Sequence, residues 1–185
     1  MMKLNAKQLR AGNLKLKTKN LKLKKNAIYI VLDNVLDTYN IGSIFRLADA
    51  LSAKKVYLCG ETEIPPNHRI KKASINTTEW VDWQYFADAK TAIENLKFKI
   101  KNLQVIAVEQ SPKSIQYNKF EYKMPLCLIV GHETTGISKK VLNLADAIVE
   151  LPMFGVNKSL NVMVSLGIVL YEAIPKTSKY PVSGA

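Results

Sequence analysis

The chain has 185 residues, a hydrophobic fraction of 48% and a net charge of +12. These values fit one globular domain with an ordinary core. No apolar run reaches the roughly 18 residues of a membrane-spanning helix, and the lysine-rich N-terminus lacks the apolar stretch of a secretory signal. We therefore expect a single-domain cytoplasmic protein that neither crosses nor binds a membrane.

The positive charge is concentrated at the N-terminus. Residues 1–25 contain eight lysines and Arg10 but no acid, whereas 18 basic and 15 acidic side chains share the rest of the chain. Blocks of like charge are usually tails, and basic ones often bind nucleic acid. We expect residues 1–25 to form a basic arm that binds RNA. Two alternatives are a solubilising tail and, because leucines alternate with lysines, a partly paired edge strand. Residues 176–185 are expected to form a C-terminal tail.

Strand and helix patterns alternate between these two ends. Apolar, β-branched runs predict strands, and apolar spacing of three to four residues predicts helices. The predicted strands cover 27–33, 55–59, 103–109, 125–131 and 146–152, with 79–86 also extended. The predicted helices start after a polar turn at 34–40 and cover 41–51, 88–99, 138–145 and 159–174, with Ser138 and Ser159 as N-caps. Residues 61–67 are a loop, because Pro65 and Pro66 interrupt both kinds of element. This order predicts an α/β fold with a mostly parallel sheet and helices on both faces.

Two glycine-containing loops follow predicted strands, one at residues 131–136 and the other at 152–159. Open α/β sheets bind their ligands at the carboxyl ends of the strands. The first loop has the G-x-x-x-x-G spacing of a phosphate-binding loop, but Ile137 stands where that loop needs lysine, and Glu133 adds a negative charge. No G-x-G occurs anywhere in the sequence, which disfavours a Rossmann dinucleotide site. The loops therefore predict a nucleoside-like ligand held mainly by backbone groups.

The histidines and cysteines do not have the spacing of a metal site. His68, His132, Cys59 and Cys127 lie far apart in the sequence and form none of the usual zinc-ligand pairs. Both cysteines follow hydrophobic residues, so we expect two buried, reduced thiols. His132 is expected to be an ordinary polar residue of its loop.

Three segments resemble the motifs of a known family of enzymes. They are NVLDTYNIGSIFRLADAL (34–51), LIVGHETTGIS (128–138) and LPMFGVNKSLNVMVSLGIVLYE (151–172). In order and spacing they are similar to the SPOUT-class, TrmH-type RNA ribose 2′-O-methyltransferases. The resemblance implies that residues 26–175 form a SPOUT domain with a C-terminal deep trefoil knot, a rare exception to ordinary chain connectivity. It also implies S-adenosylmethionine as cofactor, RNA as partner and a homodimer.

The same resemblance assigns the cofactor contacts. They fall at Gly131, Leu151, Met153 and Leu160. Glycine at 131 permits a close approach of the backbone, and the apolar Leu151 and Leu160 suit the two faces of an adenine ring. The sequence departs from the family pattern at Ala53, where glycine is common. We expect no effect on the site from that change.

The resemblance places the catalytic positions at Asn40, Arg46, Glu133, Ser159 and Asn161. Each has a simpler structural alternative. Arg46 could be a solvated helix arginine, while Ser159 and Asn161 could only cap or bond the end of their helix. Glu133 is expected to support its loop or Asn40 rather than to transfer a proton.

These expectations combine into one functional prediction. The chain should methylate a ribose 2′-hydroxyl of tRNA or rRNA. Family accounts make the Arg46 counterpart a general base, but arginine stays protonated in proteins, so a clamp on phosphate or developing alkoxide is the better role. A non-catalytic RNA-binding homologue and methylation of a base nitrogen are the alternatives. A pure binder has no need of Arg46, Ser159 and Asn161 together, and the S-L-N motif (159–161) disfavours base methylation.

Overall fold

The structure, a computed structural model, describes residues 25–174. The expected basic arm, apart from Lys25, and the expected C-terminal tail lie outside the described residues, as does the possible edge strand. No helix in residues 25–174 is long and apolar enough to cross a membrane.

The described chain alternates strands with helices, as the sequence predicts. The strands are β1 (Asn26–Asp33), β2 (Ala53–Cys59), β3 (Trp83–Phe86), β4 (Gln104–Val108), β5 (Ile115–Gln116), β6 (Leu126–Gly131) and β7 (Ala147–Glu150). The helices are α1 (Thr38–Ala50), α2 (His68–Ser74), α3 (Ala89–Lys99), α4 (Lys139–Leu142) and α5 (Val162–Ala173). Short 3-10 turns occupy Thr77–Glu79 and Tyr117–Lys119.

All seven strands join one parallel sheet in the order β3-β2-β1-β6-β4-β7-β5. Every residue of β6 is buried, which agrees with its uninterrupted apolar sequence. The chain moves outward from β1 to β3, then crosses to β4 on the other side. This reversal brings the carboxyl ends of β1, β6, β4 and β7 next to each other. Ligand sites of open α/β sheets form at such places.

Helices cover both faces of the sheet, which confirms the predicted layers. Along β1, Ile30 and Leu32 pack in the cluster that contains α1 and α5, and Val31 packs in the cluster that contains α3 and α4. Helix α2 packs on α1 rather than on the sheet, and Gly42 makes this possible. A Cβ at Gly42 would lie 2.6 Å from Ala73 Cβ. Glycine is therefore required where the two helices cross.

Several predicted boundaries were wrong, and local hydrogen bonds explain them. Helix α1 begins at Thr38 inside the expected polar turn, because the Asp37 side chain caps it by accepting from Tyr39 N at 2.7 Å. Ser159 is not an N-cap: α5 begins at Val162, and Asn161 is the cap. Ser138 holds the N-cap position of α4, but its hydroxyl donates to Asp33 instead of capping the helix.

Other elements were misplaced or missed. Only Trp83–Phe86 of the expected extended segment 79–86 is a strand, because Thr77–Glu79 forms a 3-10 turn before it. Helix α4 ends at Leu142, since the chain must turn for Asp146 N to donate to Val105 O at 2.7 Å and start β7. Helix α2 and the two-residue strand β5 were not predicted.

The two cysteines are free and buried, as expected. Burial raises the pKa of the Cys59 thiol to about 12, with the nearby Asp33 and Asp88 carboxylates adding to the effect. Burial likewise raises the pKa of Cys127. Both side chains therefore act as small core residues and remain protonated at neutral pH.

Candidate functional site

A cavity of about 510 Å³ opens at the carboxyl ends of β4, β6 and β7. Its walls are the two loops selected from the sequence, which follow β6 and β7. Seven of the predicted site residues line it: Gly131, Glu133, Leu151, Met153, Ser159, Leu160 and Asn161. Two loops that are separated in the chain by α4 and β7 thus form one site, as their positions after parallel strands predict.

The loop after β6 is folded tightly on itself. Gly136 N donates to His132 O at 2.9 Å, and His132 Nδ1 accepts from the backbone of Thr134 at 2.9 Å. A Cβ at Gly131 would lie 2.4 Å from backbone atoms of both Gly136 and Ile137. The close approach that requires glycine at 131 is therefore made by the loop's own backbone. His132 supports the turn through its ring nitrogen.

A carboxylate at the end of β1 holds the far end of this loop. Asp33 is buried and neighbours Gly131 across the β1–β6 pair. Its Oδ2 accepts hydrogen bonds from Ser138 N at 3.1 Å and from Ser138 Oγ at 2.9 Å. The polar residue at the start of α4 thus fixes the loop instead of capping the helix.

Glu133 connects the loop to the start of α1. Its Oε1 accepts from Asp37 N at 3.0 Å and from Asn40 Nδ2 at 3.1 Å, and its Oε2 accepts from Leu36 N at 3.2 Å. Burial by itself raises the pKa of Glu133, but the hydrogen bonds from Asn40 and the backbone amides outweigh it, so the pKa lies below its ordinary value. Both oxygens of this ionised carboxylate are occupied.

Asn40 extends the connection to the third segment. Its side chain is only 7% exposed, and its Oδ1 accepts from Asn161 Nδ2 at 3.0 Å. Asn161 Oδ1 in turn accepts from Met163 N at 3.0 Å and caps α5. Asn161 therefore does cap its helix, as the simpler alternative proposed. The cap uses only the amide oxygen, and the amide nitrogen bonds Asn40. The chain Glu133–Asn40–Asn161 ties all three sequence segments together at the cavity rim.

The remaining predicted residues are exposed to different degrees. Leu151 and Met153 are half-buried in the wall, whereas Leu160 is 41% exposed. Ser159 lines the cavity with an exposed side chain. Arg46 does not line the cavity: it is exposed on α1 and makes no hydrogen bond or ion pair within residues 25–174.

Several residues that line the cavity were not predicted from the sequence, and two of them follow the same strand. Glu109 and Gln110 follow β4 directly and line the cavity beside the first loop. The signal that could have found them is their position, because the rule applied to the ends of β6 and β7 applies equally to β4.

A parallel α/β sheet with an open cavity of this size between two strand-end loops is the usual arrangement of a small-molecule site. The sequence also matches one protein family, which defines the class of protein more narrowly. The chain belongs to the SpoU rRNA Methylase family, whose model matches residues 27–171.

Proteins that are similar in sequence to this chain are named as RNA methyltransferases. A tRNA (guanosine(18)-2′-O)-methyltransferase of Aquifex aeolicus is 31% identical over 83% of this chain and 71% of its own length. The enzyme of that name from Escherichia coli K12 is 29% identical over 78% of this chain and 61% of its own length. A solved structure, an AdoMet-bound rRNA methyltransferase from Sinorhizobium meliloti, matches 81% of this chain and 56% of its own with 30% identity and a TM-score of 0.73. The chain thus spans between 56% and 71% of the length of these relatives.

Proposed function

We propose that this protein is an S-adenosylmethionine-dependent methyltransferase that methylates a ribose 2′-hydroxyl of tRNA or rRNA. Family membership and the names of its relatives support this activity. The observation that carries the proposal is the Glu133–Asn40–Asn161 hydrogen-bond chain, because it joins the three motifs at the rim of one cavity. A protein that only bound RNA would not need that arrangement.

The cavity fits the proposed cofactor. Its volume of about 510 Å³ lies within the range of small-molecule sites, and Leu151 and Leu160 supply apolar surface for an adenine ring. The carboxylates of Glu109, Glu133 and Glu150 line it together with one cationic side chain, Lys158, so its excess charge is negative. That sign complements a sulfonium cation. Gly131, Leu151, Met153 and Leu160 would hold the cofactor, which supplies an electrophilic methyl group when bound.

Arg46 is the proposed RNA-facing group of the reaction. The 2′-hydroxyl is a poor nucleophile; on methyl transfer its proton would pass to solvent water, and the cofactor would leave as a neutral thioether. The guanidinium stays protonated, so it acts as a fork that grips a phosphate and stabilises negative charge on the 2′-oxygen. Its exposure and its lack of a partner among the described residues leave all of its donors available.

The other polar residues orient the site. Glu133 already accepts three hydrogen bonds and its pKa is lowered, so its role is to fix Asn40 and the start of α1. Asn40 and Asn161 then hold the start of α5 against the cavity. Ser159, exposed in the cavity wall, is the remaining group that can contact the ribose. Orientation of this kind supplies much of the catalysis when one reactant is already activated.

We also propose the finer architecture and setting. The family match supports a trefoil knot in the C-terminal part of the chain, at the β6–α5 region that forms the cavity. A homodimer is supported by α5, a mostly apolar helix on which Val164 and Tyr171 are 39% and 53% exposed. A cytoplasmic location follows from tRNA or rRNA as substrate.

Methyl transfer from labelled S-adenosylmethionine to bulk RNA tests the function. Nuclease digestion of the product then identifies the modified nucleotide. We expect label in a nucleotide whose 3′ linkage resists alkaline hydrolysis, as a 2′-O-methyl group requires. Label in an alkali-sensitive nucleotide would indicate base methylation instead. RNA binding without any transfer would indicate the non-catalytic homologue.

A further inference from the structure

The loop after β7 has little to hold it in place. Within the described part of the chain, residues 152–160 make one hydrogen bond to another segment: Gln110 Nε2 donates to Lys158 O at 2.5 Å. Phe154 and Val156 have almost fully exposed side chains and so contribute little packing. Yet Ser159 and Leu160, next to this bond, line the cavity. One side-chain amide therefore supplies the hydrogen bond that ties described residues 152–160 of this wall to another segment.

The residue that supplies this amide is itself held firmly. Glu109 N donates to Val149 O at 3.0 Å, which ties the end of β4 to β7. The Glu109 carboxylate accepts from Gln110 N at 2.9 Å through Oε1 and from Ile137 N at 2.8 Å through Oε2. A Cβ at Gly136 would lie 2.2 Å from the same Oε2, so the loop packs directly on the carboxylate. Glu109 thus fixes both Gln110 and the loop at 131–137, which forms the opposite wall of the cavity.

We propose that Gln110 is a positioning residue for the cofactor site. Anchored by Glu109, it sets the distance between the loop at 131–137 and the loop at 152–160. This role rests on the proposed function for its ligand, S-adenosylmethionine, but concerns residues outside the three motifs. Neither Glu109 nor Gln110 reaches the RNA-facing Arg46 or the Glu133–Asn40–Asn161 chain by any hydrogen bond of the described residues.

The geometry has a specific kinetic consequence. Without the Gln110 bond, the loop at 152–160 spends only part of the time in the position that completes the cavity. The apparent dissociation constant of the cofactor rises in inverse proportion to that fraction. At saturating cofactor the loop is held by the ligand itself, and Arg46 and Asn40 are unchanged. KM for the cofactor should therefore rise more than kcat falls.

Two substitutions at Gln110 test the proposal. Gln110→Glu keeps the shape but removes the donor, and Gln110→Ala removes the side chain without adding charge. Loss of one hydrogen bond predicts about a 2- to 12-fold weaker calorimetric Kd for S-adenosylmethionine in both. KM for the cofactor should rise by a similar factor, with kcat within about twofold. Nitrogen-15 relaxation should show larger backbone motion across residues 152–160 in both variants.

Strand β4 offers a matched control at its other end. Gln104 Nε2 donates to Glu121 O at 3.2 Å, which is the same type of bond to a loop carbonyl, far from the cavity. Gln104→Glu should leave cofactor Kd unchanged. Unchanged backbone motion at 152–160 in both Gln110 variants would overturn the positioning role, as would a Kd equal to that of the wild-type protein. If the wild-type protein does not bind S-adenosylmethionine, the proposed function fails, and nitrogen-15 relaxation alone still decides whether Gln110 fixes the loop.

Discussion

Asn40 and Asn161 are 121 residues apart in the chain, and Asn161 Nδ2 donates a hydrogen bond of 3.0 Å to Asn40 Oδ1. This bond crosses from the first turn of α1 to the residue that caps α5. Because Asn40 also donates to Glu133, an amide is required at position 40: one end must donate and the other must accept. The two hydrogen bonds of Asn40 thus link residues from three separate sequence motifs in one polar network.

Asn40→Asp tests that requirement. The aspartate cannot donate to Glu133 and places a second carboxylate beside it. We expect the free energy of unfolding to fall by about 1–3 kcal/mol, since a nearly buried charge-assisted bond is replaced by repulsion. Methyl transfer should be lost almost completely. Urea denaturation and initial rates measure the two effects. Asn143→Asp, the same change at an exposed position after α4, is the control, and equal behaviour of the two variants would contradict the network.

Gly131→Ala should distort the cavity wall through sterics alone. Its Cβ would lie 2.4 Å from backbone atoms at Gly136 and Ile137, and backbone cannot swing aside as a flexible side chain can. We expect a loss of stability of about 1–3 kcal/mol and weaker cofactor binding. Gly155→Ala is a matched control, because a Cβ there meets nothing within 4 Å. Thermal unfolding and calorimetry compare the pair, and an undisturbed Gly131→Ala protein would contradict the tight fold of the loop.

Much of the sheet could be predicted because its central strands are continuous apolar runs. The expected 125–131 and the observed β6 at Leu126–Gly131 differ by one residue. Helix α2 was missed since it follows two prolines and is short. Its start is fixed by the Asn67 side chain, which accepts from Arg69 N at 2.9 Å and Ile70 N at 3.2 Å. Its burial depends on Gly42 of another helix, which no local pattern reveals.

Site residues that belong to the three motifs could be predicted from the sequence. Those whose role depends on tertiary contacts could not. Sequence position placed Glu133, Ser159 and Asn161 at one cavity correctly. Ser159 was assigned a cap that Asn161 makes, because the start of α5 depends on a hydrogen bond to Met163 N rather than on residue preference. Gln110 could not be recognised, since its importance comes from a contact with Lys158 on a distant loop.

Glu133 should make stability depend on pH in the acidic range. Its pKa in the folded state lies below the ordinary 4.5, because hydrogen bonds from Asn40 and the backbone outweigh the opposing effect of burial. A lowered folded pKa gives stability that is present above pH 4.5 and is lost as the pH falls through the folded value. Glu133→Gln lacks this contribution. The stability difference between wild type and Glu133→Gln should therefore be largest near neutral pH and shrink on acidification.

Urea unfolding over a pH series measures this difference. Glu121→Gln is the control, because Glu121 is exposed and its 3.4 Å ion pair with Lys123 is screened by solvent. We expect the control curve to run parallel to that of the wild-type protein. A Glu133→Gln curve that also ran parallel would show that the carboxylate is not stabilised by its hydrogen bonds.

Arg46→Ala should abolish methyl transfer and leave stability within about 0.5 kcal/mol, because the side chain is exposed and makes no ion pair in residues 25–174. Cofactor affinity should also be unchanged. Arg46→Lys should remain poor, since a point charge does not reproduce a bidentate fork. Arg69→Ala, an exposed arginine on α2, is the control for rates at saturating RNA. Near wild-type turnover in Arg46→Lys would exclude the fork and leave only a general electrostatic role.

The basic arm should contribute RNA affinity and not chemistry. Removing residues 1–24 deletes seven lysines and Arg10, but keeps Lys25, which forms a 2.5 Å ion pair with Asp82. Each lost phosphate contact should flatten the slope of log affinity against log salt by about 0.7–0.9. Cofactor binding and the rate at saturating RNA should change little. A full-length variant with glutamine at those basic positions separates charge from length. Equal salt slopes for all three proteins would make the arm a solubilising tail, and RNA recognition would then belong to the surface of the core.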